Sequence, residues 1–141
     1  MQNTLIFYPL CAMALLILIV TVFMLRERVG EFKSRRIHPQ KLPSSSQMQG
    51  VLENTRAADN YKNLFEMPVL FYLLCVLLHL TQQVSVGMLV AAWLYVVLRC
   101  IHSFIHIGYN KVMDRFKVFL ASAALLFGMW IAFFIQLMTK A

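Results

Sequence analysis

The feature that most constrains this chain is the recurrence of four long apolar runs: Thr4 to Leu25, Met67 to Leu80, Val86 to Leu98 continuing to Tyr109, and Phe116 to Met138. A helix rises about 1.5 Å per residue, so about 20 apolar residues cross a hydrocarbon core about 30 Å thick. The first and last runs reach that length unaided. The second is too short alone and must borrow residues from the polar stretch before it, NTRAADNYKNLFEMP. A composition that is 60% hydrophobic over 141 residues agrees with membrane spans and excludes an ordinary soluble domain. Short connections around Gln82 to Ser85 and Asn110 to Asp114 make successive helices antiparallel neighbours. The expected fold is therefore an all-α membrane protein, a single domain over residues 1–141. It is a four-transmembrane-helix up-down-up-down bundle with helices near 4–26, 52–81, 86–109 and 114–138.

Charge then orients the bundle. Lysine and arginine number 13 against 6 acids, a balance that in a soluble chain would suggest nucleic acid. Their placement says otherwise. Arg26, Arg28, Lys33, Arg35, Arg36, Lys41, Arg56 and Lys62 lie between the first two spans, and Lys111, Arg115 and Lys117 between the last two. The turn TQQVSVG between spans two and three carries none. Under the positive-inside rule both basic loops are cytoplasmic and both termini lie on the non-cytoplasmic side. The partners expected are membrane lipids, with no nucleic acid. The basic residues follow the first apolar run and no A-x-A site closes it, so it reads as a retained helix and not a cleaved leader. Residues 30 to 50, with two prolines, an SSS run and flanking glycines, read as a linker without regular structure. Cys11, Cys75 and Cys100 fall inside spans with no paired spacing, which predicts neither a disulfide framework nor a zinc motif. Ala121, Ala124 and Gly128 recur at helical spacing on the last span, where another helix could approach closely.

Two polar stripes carry the chemistry. On a helical wheel with Arg56 at zero, Asn60, Asn63 and Glu66 fall at about +40°, −20° and −80°. Asp59 and Lys62 read as a solvated face. Pro68, inside the same span, removes one backbone bond and should kink it. On span three Arg99, His102, His106 and Asn110 fall at about 0°, −60°, −20° and +20°. Ionisable groups on one stripe of a membrane helix face the bundle interior or a wet cavity and find partners. Glu66 is the expected charge partner for Arg99 or Arg115. His102 and His106, one turn apart, have the spacing of metal or haem ligands, but a third ligand is missing and no metal is expected. Guanidinium groups take carboxylates bidentately, amides take a peptide backbone, and an arginine beside a thiol favours the thiolate. A small polyanionic peptide-like ligand fits such a set. Glutathione is one, with two carboxylates, two peptide bonds, an amine and a thiol.

These residues resemble the MAPEG family, membrane-associated proteins in eicosanoid and glutathione metabolism, which includes microsomal glutathione transferases and the leukotriene and prostaglandin E synthases. Asn63-x-x-Glu66-x-Pro68 follows the helix-two pattern, and Arg99-x-x-His102-x-x-x-His106 with Arg115 nine residues on is similar to the helix-three pattern of the prostaglandin branch. NLFEMPVLFY is similar to the bacterial-type variant, and that resemblance implies a bacterial inner membrane. The resemblance implies a homotrimer binding glutathione between adjacent subunits. It implies contacts from Arg56, Asn63, Glu66, His102 and His106, with Arg115 as the catalytic, thiolate-stabilising residue. Asn60 and Arg99 join the binding candidates because they share those faces. The chain departs from the eicosanoid branches at Asp59, where an arginine is usual, at His106, where a tyrosine is usual, and at Phe116, where the prostaglandin branch has serine. The activity implied is a glutathione-dependent transferase or peroxidase acting on a lipophilic electrophile other than an eicosanoid. The alternative is a non-enzymatic membrane module that holds a lipid headgroup or a partner helix in the same cleft.

Overall fold

The computed structural model describes residues 3–38, 40, 42 and 44–140. A 3-10 turn, Asn3–Ile6, leads into α1 (Phe7–Ser34), followed by a short α2 (Ser45–Val51), α3 (Arg56–Leu64), α4 (Met67–Leu80), α5 (Val86–Ile107) and α6 (Val112–Lys140). Four segments are long and apolar enough to cross a membrane: Asn3–Ser34, Arg56–Leu80, Val86–Ile107 and Val112–Thr139. The protein is thus an all-helical, four-span chain. In its most apolar stretch α5 is 44% buried and α6 only 22%, which makes α5 the central helix and α6 an outer one. Phe71 of α4 and Tyr95 of α5, both fully buried, stack at 4.6 Å between ring centroids at the core. Leu18, Leu73, Val97 and Phe127 are among the large apolar side chains left facing outward, as lipid contact requires. Gly128 also faces outward: among the described residues no atom outside its own helix backbone lies within 4 Å of where a side chain would begin.

The polar end of the bundle differs from the sequence reading in three places. First, α1 runs on to Ser34 instead of stopping near Arg26. RERVGEFKS is rich in helix formers, and Arg35 closes the end on Glu31 at 2.8 Å. Second, the linker is not wholly irregular. Ser44 accepts a hydrogen bond from the Gln47 N–H at 3.3 Å and starts α2. Pro39, Lys41 and Pro43 of the expected linker lie outside the described residues. Third, the second span begins at Arg56, because Leu52 to Thr55 form a strap tied to α1. The Glu31 carboxylate accepts the N–H groups of Glu53 at 2.7 Å and Asn54 at 3.3 Å, and Arg35 donates to the Val51 carbonyl at 2.7 Å. Glu27 accepts the Ala57 N–H at 3.3 Å. A carboxylate there satisfies a first-turn donor of α3 and opposes the helix dipole.

Pro68 does more than kink its helix. It has no N–H to offer the Leu64 carbonyl and its ring crowds that oxygen, so α3 ends at Leu64 and α4 starts afresh at Met67 with the proline in its first turn. Phe65 and Glu66 form the joint, closed by tight bonds from Phe65 N–H to the Lys62 carbonyl at 2.9 Å and from Glu66 N–H to the Asn63 carbonyl at 3.4 Å. A second sharp feature joins α5 to α6. Asn110 has φ 49° and donates its N–H to the Ile105 carbonyl at 2.8 Å, a left-handed conformation that asparagine tolerates well. Gly108 just before it is fixed by space, since a Cβ there would lie 2.8 Å from the Phe104 carbonyl oxygen.

Candidate functional site

The break at Pro68 leaves backbone acceptors inside the bundle, and Arg99 answers them. Its side chain is completely buried. Its Nη2 donates to the Asn63 side-chain oxygen and, at 3.4 Å, to the Asn63 carbonyl. Arg99 thus ties α5 to the broken end of α3. Its Nε and Nη1 have no hydrogen-bond partner among the described residues, a costly state for a buried cation.

In front of that tie a cleft of about 340 Å³ opens between three elements. The second span contributes Asp59, Lys62, Asn63 and Glu66, α5 contributes His102 and His106, and α6 contributes Val112, Arg115, Phe116 and Phe119. Arg115 projects from the end of the first turn of α6, and its Nη1 is held by His106 Nε2 at 3.0 Å and by the Asn110 side-chain oxygen at 2.9 Å. A guanidinium can only donate, so Nε2 of His106 accepts and the neutral imidazole carries its hydrogen on Nδ1. That Nδ1 has no partner among the described residues, and neither has Nδ1 of His102. His102 is 2% exposed, with its ring centroid 5.7 Å from that of His106 and 6.1 Å from that of Phe119. The cleft therefore combines two cations, an amide, carboxylates and two imidazoles against an aromatic wall.

The sequence candidates divide. Asn63, Glu66, His102, His106 and Arg115 line the cleft, whereas Arg56, Asn60 and Arg99 do not. Arg56 points elsewhere and donates to the Gly108 carbonyl at 2.9 Å. Asn60 is fully buried and accepts from the Ser103 hydroxyl at 3.3 Å. The expected ion pair of Glu66 with Arg99 or Arg115 is absent among the described residues, where both arginines are held by uncharged acceptors. Asp59 and Lys62, set aside as a solvated face, stand in the cleft wall. The wheel held the signal for them. Centred on Glu66 instead of Arg56, it puts Asp59, Lys62 and Asn63 within about 60° of that carboxylate. Among the described residues no group of three or more His, Cys, Asp or Glu side chains is placed to hold a metal ion.

Four apolar spans, three of which frame a cleft of ionisable side chains, define an integral membrane helical protein with a polar site. The family model of the MAPEG family matches residues 5–135. The chain belongs to that family. No match was found among curated proteins or among solved structures.

Proposed function

We propose that this chain is a membrane-embedded glutathione-dependent transferase or peroxidase that acts on a lipophilic electrophile, assembled as a homotrimer of up-down-up-down bundles in a bacterial inner membrane. The observation that carries the reading is the Arg115 guanidinium, fixed by His106 and Asn110 on the wall of a cleft that also presents Lys62, Asn63 and Glu66. Members of the family generally use glutathione, and the donor set suits it. Lys62 can take a carboxylate, Asn63 a peptide group and Glu66 the amine. Arg99 and Asn60 act from behind, keeping the broken second span in register with α5.

Arg115 has the catalytic role. A cation beside the thiol lowers the cost of the thiolate, and its two fixed acceptors mean that little reorganisation is needed when the charge develops. The thiolate sulfur then donates its electron pair to the electrophilic carbon. A C–S bond forms and the leaving group departs with the pair of the bond that breaks. Phe116 and Phe119 give the electrophile an apolar approach.

The test is calorimetric titration of the purified protein with glutathione, followed by a conjugation assay with a lipophilic aryl halide in lipid nanodiscs. Saturable binding and turnover are expected, with turnover reduced about 100-fold and the oligomer intact in Arg115→Ala. No binding at millimolar glutathione removes the proposal and leaves a headgroup-binding or helix-binding module.

A further inference from the structure

On the other side of α5 lies a second cavity, of about 360 Å³, between α1 and α5. Ile19 and Phe23 of α1 and Phe104 and Ile107 of α5 form its apolar walls, with Ser103 and Gly108 also lining it. Its polar feature is at one end. The carbonyl of Gly108 accepts from Arg56 Nη1 at 2.9 Å, so an exposed guanidinium is held against the groove by a bond to its own lining. That bond uses one of five N–H donors. The others remain free to engage an anion. Arg26, one turn beyond Phe23 on α1, is a second exposed cation at the same end. Glu27, on the same turn, directs one carboxylate oxygen to the Ala57 N–H at 3.3 Å. We propose that this groove binds an anionic phospholipid, one acyl chain lying between α1 and α5 and the phosphate held at Arg56 and Arg26.

The charge at its end favours a phospholipid over a partner helix: the groove lining is almost wholly apolar, and the guanidinium selects an occupant that carries phosphate, for which its forked donors are suited. The basic end of the bundle, in a chain of net charge +7, supplies the long-range attraction. This site is separate from the cleft assigned to glutathione, and neither proposal depends on the other.

The test uses the full chain, without glutathione, in nanodiscs of equal phosphatidylglycerol and phosphatidylcholine, with retained lipid read by native mass spectrometry. A charge-assisted contact predicts about tenfold enrichment of phosphatidylglycerol in the retained lipid. Arg56→Gln should remove most of that enrichment and Arg56→Lys should keep part of it. Cys100→Phe, which fills the groove from an exposed lining position, should lower retention of both lipids. Equal retention of the two lipids by the unmodified protein overturns the proposal. So does enrichment that survives Arg56→Gln, or equal loss in the Gln and Lys variants, which assigns Arg56 to holding Gly108 alone. A Cys100→Phe protein that changes oligomeric state but not lipid retention also overturns it, and assigns the groove to a second copy of the chain.

Discussion

The two cavities that flank α5 are nearly equal in size, about 340 and 360 Å³, and opposite in chemistry. Arg99, His102 and His106 turn one way along the helix, while Cys100, Ser103, Phe104 and Ile107 turn the other, each set spaced by three or four residues. Each residue on one face adjoins a residue of the other in sequence, which is about 100° of rotation. The polar face is supported by defects in regular structure: a helix broken by Pro68 and a left-handed turn at Asn110. A guanidinium reaches the apolar face from α3, where Arg56 crosses to the Gly108 carbonyl. A membrane helix can thus present two unrelated surfaces if the charged one is buried against partners and the other left to hydrocarbon.

If the polar side is built in two tiers, with Arg99 structural and Arg115 chemical, substitutions separate them. Arg99→Ala carries the largest expected effect, because it removes a fully buried side chain and leaves the Asn63 side-chain oxygen without its donor. Thermal unfolding in detergent should show a loss of about 3 kcal/mol. Unchanged stability with lost glutathione affinity would make Arg99 a ligand group instead. Arg115→Ala comes next, with turnover reduced about 100-fold, the scale for removing one preorganised donor from developing charge. Lipid enrichment at the opposite groove should not change. Glu66→Gln keeps shape and loses charge, so glutathione affinity should fall about tenfold through the lost charge-assisted contact with the amine. Calorimetry that finds equal affinity removes Glu66 from the binding set.

Much of this was legible in the sequence, for identifiable reasons. Spans depend on composition over windows of about 20 residues, a local property, and all four could be read, the second by adding residues of the polar stretch before it. The break at Pro68 was legible as a disturbance but not as a full interruption, since its extent depends on Arg99 arriving from α5 to bond the Asn63 carbonyl. Asp59 and Lys62 were missed because the wheel was centred on Arg56, the most conspicuous cation, which belongs to the other side of α5. Nothing local reveals that its acceptor is Gly108, 52 residues away. Pairings at such separation are settled by packing, as is the strap that Glu31 ties from Glu53 and Asn54, 22 and 23 residues on.

The smallest predicted effect probes the wall between the cavities. Ser103, which lines the apolar groove, donates its hydroxyl to Asn60 at 3.3 Å, and both side chains are at most 3% exposed. Ser103→Ala leaves the Asn60 oxygen without a donor and should cost about 1 kcal/mol, the upper part of the range for a single hydrogen bond between membrane helices. Combining it with Asn60→Leu removes the donor and the acceptor together, including an Asn60 Nδ2 that has no partner among the described residues. The double variant should recover much of the loss, because two matched apolar groups leave nothing unsatisfied. Neither variant touches Arg115 or Arg56, so glutathione affinity and lipid enrichment should both stay within about twofold of the unmodified protein, a change of about 0.4 kcal/mol. A parallel shift in both ligands would show that this hydrogen bond couples the cavities, and that the two sides of α5 are not independent.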